Sequence, residues 1–489
     1  TGGLQVSDSL MAGMAEPAAV MGSIWPDNFL KGVALSVFQN SGDGPGGRSN
    51  WSDFIVAKNY LGQRRNKAAF QTSNDFWHMY ETDIKMAAGL GATAFRFSFE
   101  WARFQPGGPG ELHAETVDKY SKILDCIQAH GMEPMATLHH FVHPSWFEAK
   151  GAFTQEDNLH HFVEYSVAVF RTYGPRIRLW ATFNEPTCYA FVGYIVSLWA
   201  PGELLRLTKG GIVLGNLLKA HCAAYRAIKL LPGGREARVG MVHQHIKFIP
   251  RQNLPWTRAL CKWMTFWFGT HSVLTFFTTG VFEWDTPFSI GGPKPVFTDL
   301  GIQAGEKVTD WWGLNYYSRP CVNWNFNMGA SAANEPVSDI KFRLYPQGLY
   351  DSIADASVLG VPMYITETGL ADKKDKHRAW YIKASYDMLL KSVADGYDVR
   401  GAFWWTLMDN IEWHDGFHIK FGLYKWDADF ADKYKDNNNR PPGGLQLREG
   451  GKALGVVYNA WPNLLSDLRQ YAAQIHGPGS AGTKPASAH

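Results

Sequence analysis

Cysteine is scarce in this chain: 489 residues hold five, an odd number with no CxxC pair and no regular spacing. Neither a disulfide scaffold nor a zinc site is indicated, and buried free thiols are expected. An excess of either charge is also lacking. With 47 Lys+Arg against 45 Asp+Glu the net charge is +2, so no field is available to hold a polyanion and no nucleic-acid partner is expected. No Ser/Gly linker divides the interior, and no segment repeats at a fixed period. No initiating Met and no basic or apolar leader opens the sequence, so a processed or trimmed N-terminus is expected. The expected location is cytoplasmic, with membrane association as the alternative. The sequon Asn50-Trp51-Ser52 would matter only in a secretory setting.

Aromatic residues are what the chain has in surplus, 14% of it with 20 Trp. Rings at that density either fill a large core or line a site that wants flat apolar surfaces with polar rims, as sugars do. The small, polar stretch 1–23 and the Gly/Pro/Ser/Ala stretch 476–489 read as poorly ordered tails around one domain, 24–475. Within it, apolar runs (Leu30 to Val37, Ala92 to Ser98, Met132 to Leu138, Ile177 to Phe183, Arg238 to Val242, Trp311 to Asn315, Pro362 to Thr366, Val399 to Thr406) alternate with amphipathic stretches such as Ala114 to His130. Eight strands alternating with helices predict an α/β fold, a single (β/α)8 TIM barrel with elaborated βα loops. No GxGxxG follows the first run, which disfavours an open doubly wound sheet.

A barrel places its active site at the C-terminal strand ends. There the runs finish on Gln39, Arg96, His139-His140, Asn184-Glu185, His243, Asn315-Tyr316-Tyr317, Glu367 and Trp405. Two carboxylates, Glu185 and Glu367, would face each other across the mouth. Such a pair suits glycoside hydrolysis, one acid protonating the leaving oxygen while the other attacks or activates water. For either Glu alone a surface-loop acid is the plainer account; the strand-end position favours chemistry.

TFNEP (Thr182 to Pro186) and ITETG (Ile365 to Gly369) resemble the acid/base and nucleophile signatures of glycoside hydrolase family 1, the retaining β-glucosidase and β-galactosidase family. RFSFEWAR (Arg96 to Arg103), TLHHFVHP (Thr137 to Pro144), WWGLNYYS (Trp311 to Ser318) and WWTLMDNIEWHDGF (Trp404 to Phe417) extend the match along most of the chain. The resemblance implies Glu185 as general acid/base and Glu367 as nucleophile, with carboxyl groups roughly 5 to 5.5 Å apart. It further implies that Arg96 keeps Glu367 ionised and that Tyr317 hydrogen-bonds it. Gln39, His140, Asn184, Asn315, Trp405, Glu412, Trp413 and Phe421 would bind the sugar, Trp405 as its platform. His139 and His143 are left to the core. No metal and no organic cofactor are implied. Glu412 disfavours a 6-phosphorylated glycone by repulsion, and Glu185 stands where thioglucosidases carry Gln. The implied substrate is therefore a small unphosphorylated β-D-glucoside or β-D-galactoside. Departures from the family pattern fall at Asn40-Ser41-Gly42, Phe141 and Thr368, which bear on glycone preference.

Trp263 to Phe282 has no Asp, Glu, Lys or Arg, and its length would span a bilayer. Five Thr, one His and two Gly interrupt it, so a buried helix and loop is expected. The alternative is an exposed aromatic wall beside the aglycone site, taking hydrophobic aglycones or touching a membrane or lipid surface. Two rivals to hydrolysis stand: transglycosylation to an alcohol or glycolipid acceptor, and a non-catalytic sugar- or lipid-binding barrel. Oligomeric state is left open.

Overall fold

The strands are β1 (Leu30–Ala34), β2 (Ala94–Ser98), β3 (Glu133–His139), β4 (Leu179–Asn184), β5 (Arg238–Gln244), β6 (Trp311–Tyr316), β7 (Met363–Thr368) and β8 (Val399–Trp405). All are parallel and they close into one barrel, β1 pairing with both β2 and β8. The computed structural model describes residues 29–43, 47–57, 72–285, 294–325, 328–329, 336–426 and 445–460. Both expected tails lie outside them. The outer helices include α1 (Phe76–Gly89), α2 (Ala114–Ala129), α3 (Leu159–Tyr173), α4 (Pro186–Tyr194), α5 (Leu207–Lys229), α6 (Pro255–Met264), α7 (His271–Thr279), α8 (Gln347–Ala356) and α9 (Arg378–Ala394).

Alternation along each strand sorts the core into two layers. Leu30, Met135, Ala181, Val242, Trp311 and Phe403 meet inside the barrel. Val33, Phe95, Leu138, Met241, Trp312 and Trp404 turn outward to the helices. Gly32 makes room for the inner layer, since a Cβ there would lie 2.2 Å from the Phe403 ring.

Two strands break the alternation just before their ends. From Ala181 to Asn184 the partner strand advances only from Gly240 to Val242, so β4 carries one extra residue. Thr182 meets His221 of α5 at 2.6 Å, Phe183 stacks on Phe162 of α3, and Asn184 returns to the inside. In β7 the step from Ile365 to Glu367 opposes the single step from Leu314 to Asn315. Thr366 and Glu367 therefore both reach groups inside the mouth.

Three expectations are corrected. β1 stops at Ala34, because Ser36 caps a short helix, Val37–Ser41, by accepting the Gln39 amide at 3.3 Å; Gln39 sits in that helix, not at a strand end. Arg96 lies in the middle of β2. β5 runs to Gln244, and His243 turns outward against Trp312 at 5.9 Å, so Gln244 is the residue delivered to the mouth.

The uncharged stretch Trp263 to Phe282 is not one helix. It comprises the end of α6, a π-helical turn (Thr265–Gly269), α7 and the start of a short strand, Val281–Glu283. Among the described residues no helix is long and apolar enough to cross a membrane. Trp267, Val273, Leu274, Phe276 and Phe282 are buried, and Trp263, Phe268 and Phe277 half-buried. Phe266, at 36%, is the one large apolar side chain of the stretch that stands exposed. The alternative of an exposed aromatic wall thus shrinks to a single ring.

Candidate active site

Arg96, 1% exposed in the barrel interior, reaches across the lumen to β7. One guanidinium nitrogen lies 2.5 Å from Glu367 Oε1 and 3.1 Å from the Thr366 carbonyl; the other donates to Asn184 Oδ1 at 2.8 Å. The second carboxylate oxygen, Oε2, accepts the Tyr317 hydroxyl at 2.6 Å. Both oxygens of Glu367 are therefore held, one by a charge-assisted bond. Burial and the Glu367 charge push the Tyr317 phenol well above its usual range, so it stays a donor.

Glu185 follows β4 directly and has φ 43°, a left-handed conformation uncommon for a residue with a Cβ. Pro186 then opens α4 with its fixed φ and its missing N–H. This sharp turn leaves the Glu185 carboxyl beside Asn315, whose amide donates to Oε1 at 2.8 Å and to Asn184 Oδ1 at 3.2 Å. The Asn315 side-chain oxygen, Oδ1, in turn accepts the Thr366 hydroxyl at 2.7 Å. Asn184 Oδ1 is thus a shared acceptor for Arg96, which binds one acid, and Asn315, which binds the other. Burial, followed by the charge of Glu367, pushes Glu185 up to about 7. Two acids in one mouth therefore sit in unlike surroundings, one beside a guanidinium and one beside a neutral amide.

The remaining expected residues line the same mouth. His140 runs near-parallel to Trp405 (ring centroids 5.8 Å, 16°) and to Trp413 (6.0 Å, 18°). Its Nε2 is 3.3 Å from Asn184 Nδ2. Burial and then Arg96 hold His140 well below its normal range, so it is neutral. Gln39 donates Nε2 to the Ile411 carbonyl at 2.8 Å, while its buried Oε1 has no protein partner. Glu412 Oε2 is likewise buried without a partner. Burial first, then Asp415, Glu367 and Glu185, push Glu412 well above the usual carboxylate range. Phe421 meets Tyr317 edge-on at 5.6 Å. Trp413 packs among Phe38, Trp51, Phe141 and Trp199.

All twelve expected side chains lie in or against this one mouth. The residues left to the core belong there: His139 bonds His143, which bonds Glu148. Asn50 is buried, with its amide on the Phe141 carbonyl, so the sequon is not presented. Sequence reasoning missed Thr366, Asn410, Cys188 and Gln244. Asn410 Nδ2, two residues before Glu412 in the chain, is buried without a partner, and that spacing was its only signal. All five cysteines are free, four buried and Cys126 half-buried.

A family model described as glycosyl hydrolase family 1 matches residues 21–440. A β-glucosidase of Agrobacterium sp. is 30% identical over 435 residues, spanning 82% of this chain and 90% of its own length. A β-galactosidase of Pyrococcus woesei is 28% identical over 490 residues, spanning 82% and 92%. The solved β-glycosidase from Pyrococcus horikoshii superposes with a TM-score of 0.74 at 28% identity, over 92% of this chain and 99% of that one.

Proposed function

Because the chain belongs to glycosyl hydrolase family 1 and is thereby a retaining β-glycosidase, we propose that it removes single unphosphorylated β-D-glucosyl or β-D-galactosyl units from small glycosides. Glu367 is the nucleophile and Glu185 the acid/base. The observation that carries this reading is the asymmetry between the two acids: Glu367 is clasped by Arg96 and Tyr317, while Glu185 is buried against a neutral amide and pushed up to about 7. In the first half-reaction Glu367 attacks the anomeric carbon as Glu185 gives its proton to the departing oxygen. In the second, Glu185, now ionised, takes a proton from water, and Glu367 leaves with its charge received by Arg96 and Tyr317. Asn184, aimed by Arg96 and Asn315, is assigned to the sugar 2-hydroxyl. The unpartnered oxygens of Gln39 and Glu412 are assigned to hydroxyls further round the ring, over the Trp405 face.

Substitution Glu367→Gln is expected to abolish turnover of aryl β-glycosides by orders of magnitude while sugar binding survives. A 2-fluoro glycoside should label Glu367 in the unsubstituted enzyme. Unchanged hydrolysis in the variant, or label on another residue, would sink the assignment. Product analysis with and without added alcohol separates hydrolysis from transfer of the same glycosyl-enzyme. A series of alkyl glucosides tests a hydrophobic aglycone or lipid contact, for which exposed Phe266 is the support within the uncharged stretch. A rate independent of chain length would remove that refinement.

A further inference from the structure

The exposed aromatic surface that the uncharged stretch lacks lies just before it. From Ala237 to Phe282 the chain has no Asp or Glu, while Lys and Arg recur. In α6 and the π-helical turn that prolongs it, Thr257 and Cys261 are buried. Trp256, Arg258, Ala259, Lys262 and Phe266 are exposed and fall on one side at 3.6 residues per turn. A second indole joins them from another loop: the short strand Ile249–Pro250 pairs with Cys321–Val322, and the Trp324 amide donates to Gln252 Oε1 at 2.9 Å, just before α6 begins. Trp256 is 50% and Trp324 60% exposed. Arg251, Arg258 and Lys262 are exposed too, and among the described residues none has a carboxylate partner. Arg251 bonds the Asn323 side-chain oxygen at 3.3 Å and Arg258 that of Asn253 at 2.9 Å, which leaves their charge uncompensated. Glu283 and Asp285, which share a cavity wall with Phe266, face Lys294 at 3.9 and 3.2 Å.

Exposed indoles among unpaired cations suit one kind of boundary. An indole has an apolar body and a polar N–H, and it settles where hydrocarbon gives way to headgroups. Lys and Arg beside it meet anionic headgroups while their stems cover apolar surface. A soluble polyanion would use the cations and leave both rings in water. We propose that this face, α6 together with Trp324, docks the protein on an anionic phospholipid bilayer. The face lies in the interface and does not span it, in keeping with the absence of any sufficiently long apolar helix among the described residues. Both segments belong to the connections that follow β5 and β6, at the C-terminal strand ends where the mouth opens. Trp263 of α6 also packs on Phe191 of α4, the helix that opens directly after Glu185, with ring centroids 5.8 Å apart. Docking therefore brings the mouth toward the bilayer. The docking itself does not depend on the roles given to Glu185 and Glu367.

The test is co-sedimentation of the full chain with sucrose-loaded vesicles of phosphatidylcholine, alone or with about 30 mol% phosphatidylserine, at about 0.1 and about 1 M salt. Binding is expected to the anionic vesicles and not to phosphatidylcholine alone, and it should fall as salt is raised. Arg258→Gln with Lys262→Gln should weaken it by roughly tenfold or more, since each cation near such a surface contributes about fivefold. Trp256→Ser with Trp324→Ser should weaken it as well, at both salt concentrations. These positions are exposed, and circular dichroism together with unaltered hydrolysis of a soluble aryl β-glycoside checks that the variants fold. No binding, equal binding to both kinds of vesicle, or undiminished binding in either pair of substitutions would overturn the proposal. Capture by soluble polyglutamate that needs the cations and ignores the tryptophans would overturn it in favour of an acidic protein partner. Absent vesicle binding in an active enzyme strikes the docking alone; absent hydrolysis in a protein that still binds vesicles strikes the catalytic reading alone.

Discussion

At the scale of single residues, the site works by giving like groups unlike neighbours. Glu185 and Glu367 are both carboxylic acids within one mouth, and a guanidinium and a phenol flank only the second. The proton of Glu185 has a direct kinetic consequence. Because burial raises this acid to about 7, the form that can protonate a leaving group predominates below that pH and is lost above it. The basic limb of kcat/KM is therefore expected near neutrality, and a profile flat through pH 8 would contradict the placement. Asn315 matters through geometry: Thr366→Val removes the hydroxyl that fixes its amide, so kcat should fall while folding is retained. Circular dichroism and steady-state kinetics together check this outcome.

At the scale of elements, the number and kind of strands were legible in the sequence, because β-branched and aromatic runs of strand length recur between amphipathic helices. The two carboxylates that meet in the mouth were legible through local motifs. Less legible was which side chain each strand delivers. Strict alternation would send one of each adjacent pair outward, yet the extra residues in β4 and β7 let Asn184 and Glu367 face in. Backbone register of that kind depends on the neighbouring strand, which no single run encodes. His243 was read in place of Gln244 for the same reason: the strand ran two residues further than its apolar core. The π-helical turn was invisible too, since its residues read as ordinary apolar filling. Gly313, in β6 between β5 and β7, has no slack, as a Cβ there would lie 2.6 Å from Val242 and 3.0 Å from the Thr366 hydroxyl. Gly313→Ala is expected to cost about 1–3 kcal/mol and to lower kcat, measured by denaturant unfolding and kinetics; unchanged values for both would show that the strands can part.

At the scale of the whole molecule, the surplus of aromatic residues divides between two uses. Trp51, Trp101, Trp180, Trp284, Trp311, Trp312 and Trp404 are fully buried packing, whereas Trp405 and Trp413 border the mouth. The mouth also depends on distant chain. Arg448, near the end of the described residues, grips Asp409 with two bonds of 2.9 and 2.7 Å, and Asp409 also accepts the amides of Gly422 and Trp426. This pins the loop that carries Glu412 and Trp413. Removing one partner of a buried pair strands the other, so Arg448→Met should cost about 3–5 kcal/mol and raise KM, read by urea denaturation and by saturation kinetics. A KM unchanged in a destabilised protein would show that the loop holds its shape alone. The extra residues in β4 and β7 act as a phase shift: upstream, each strand obeys the packing code of the barrel, and downstream it obeys the demands of catalysis. In β4 and β7 the packing upstream of the extra residue can then be exchanged like for like without turning Asn184 or Glu367 away from the mouth.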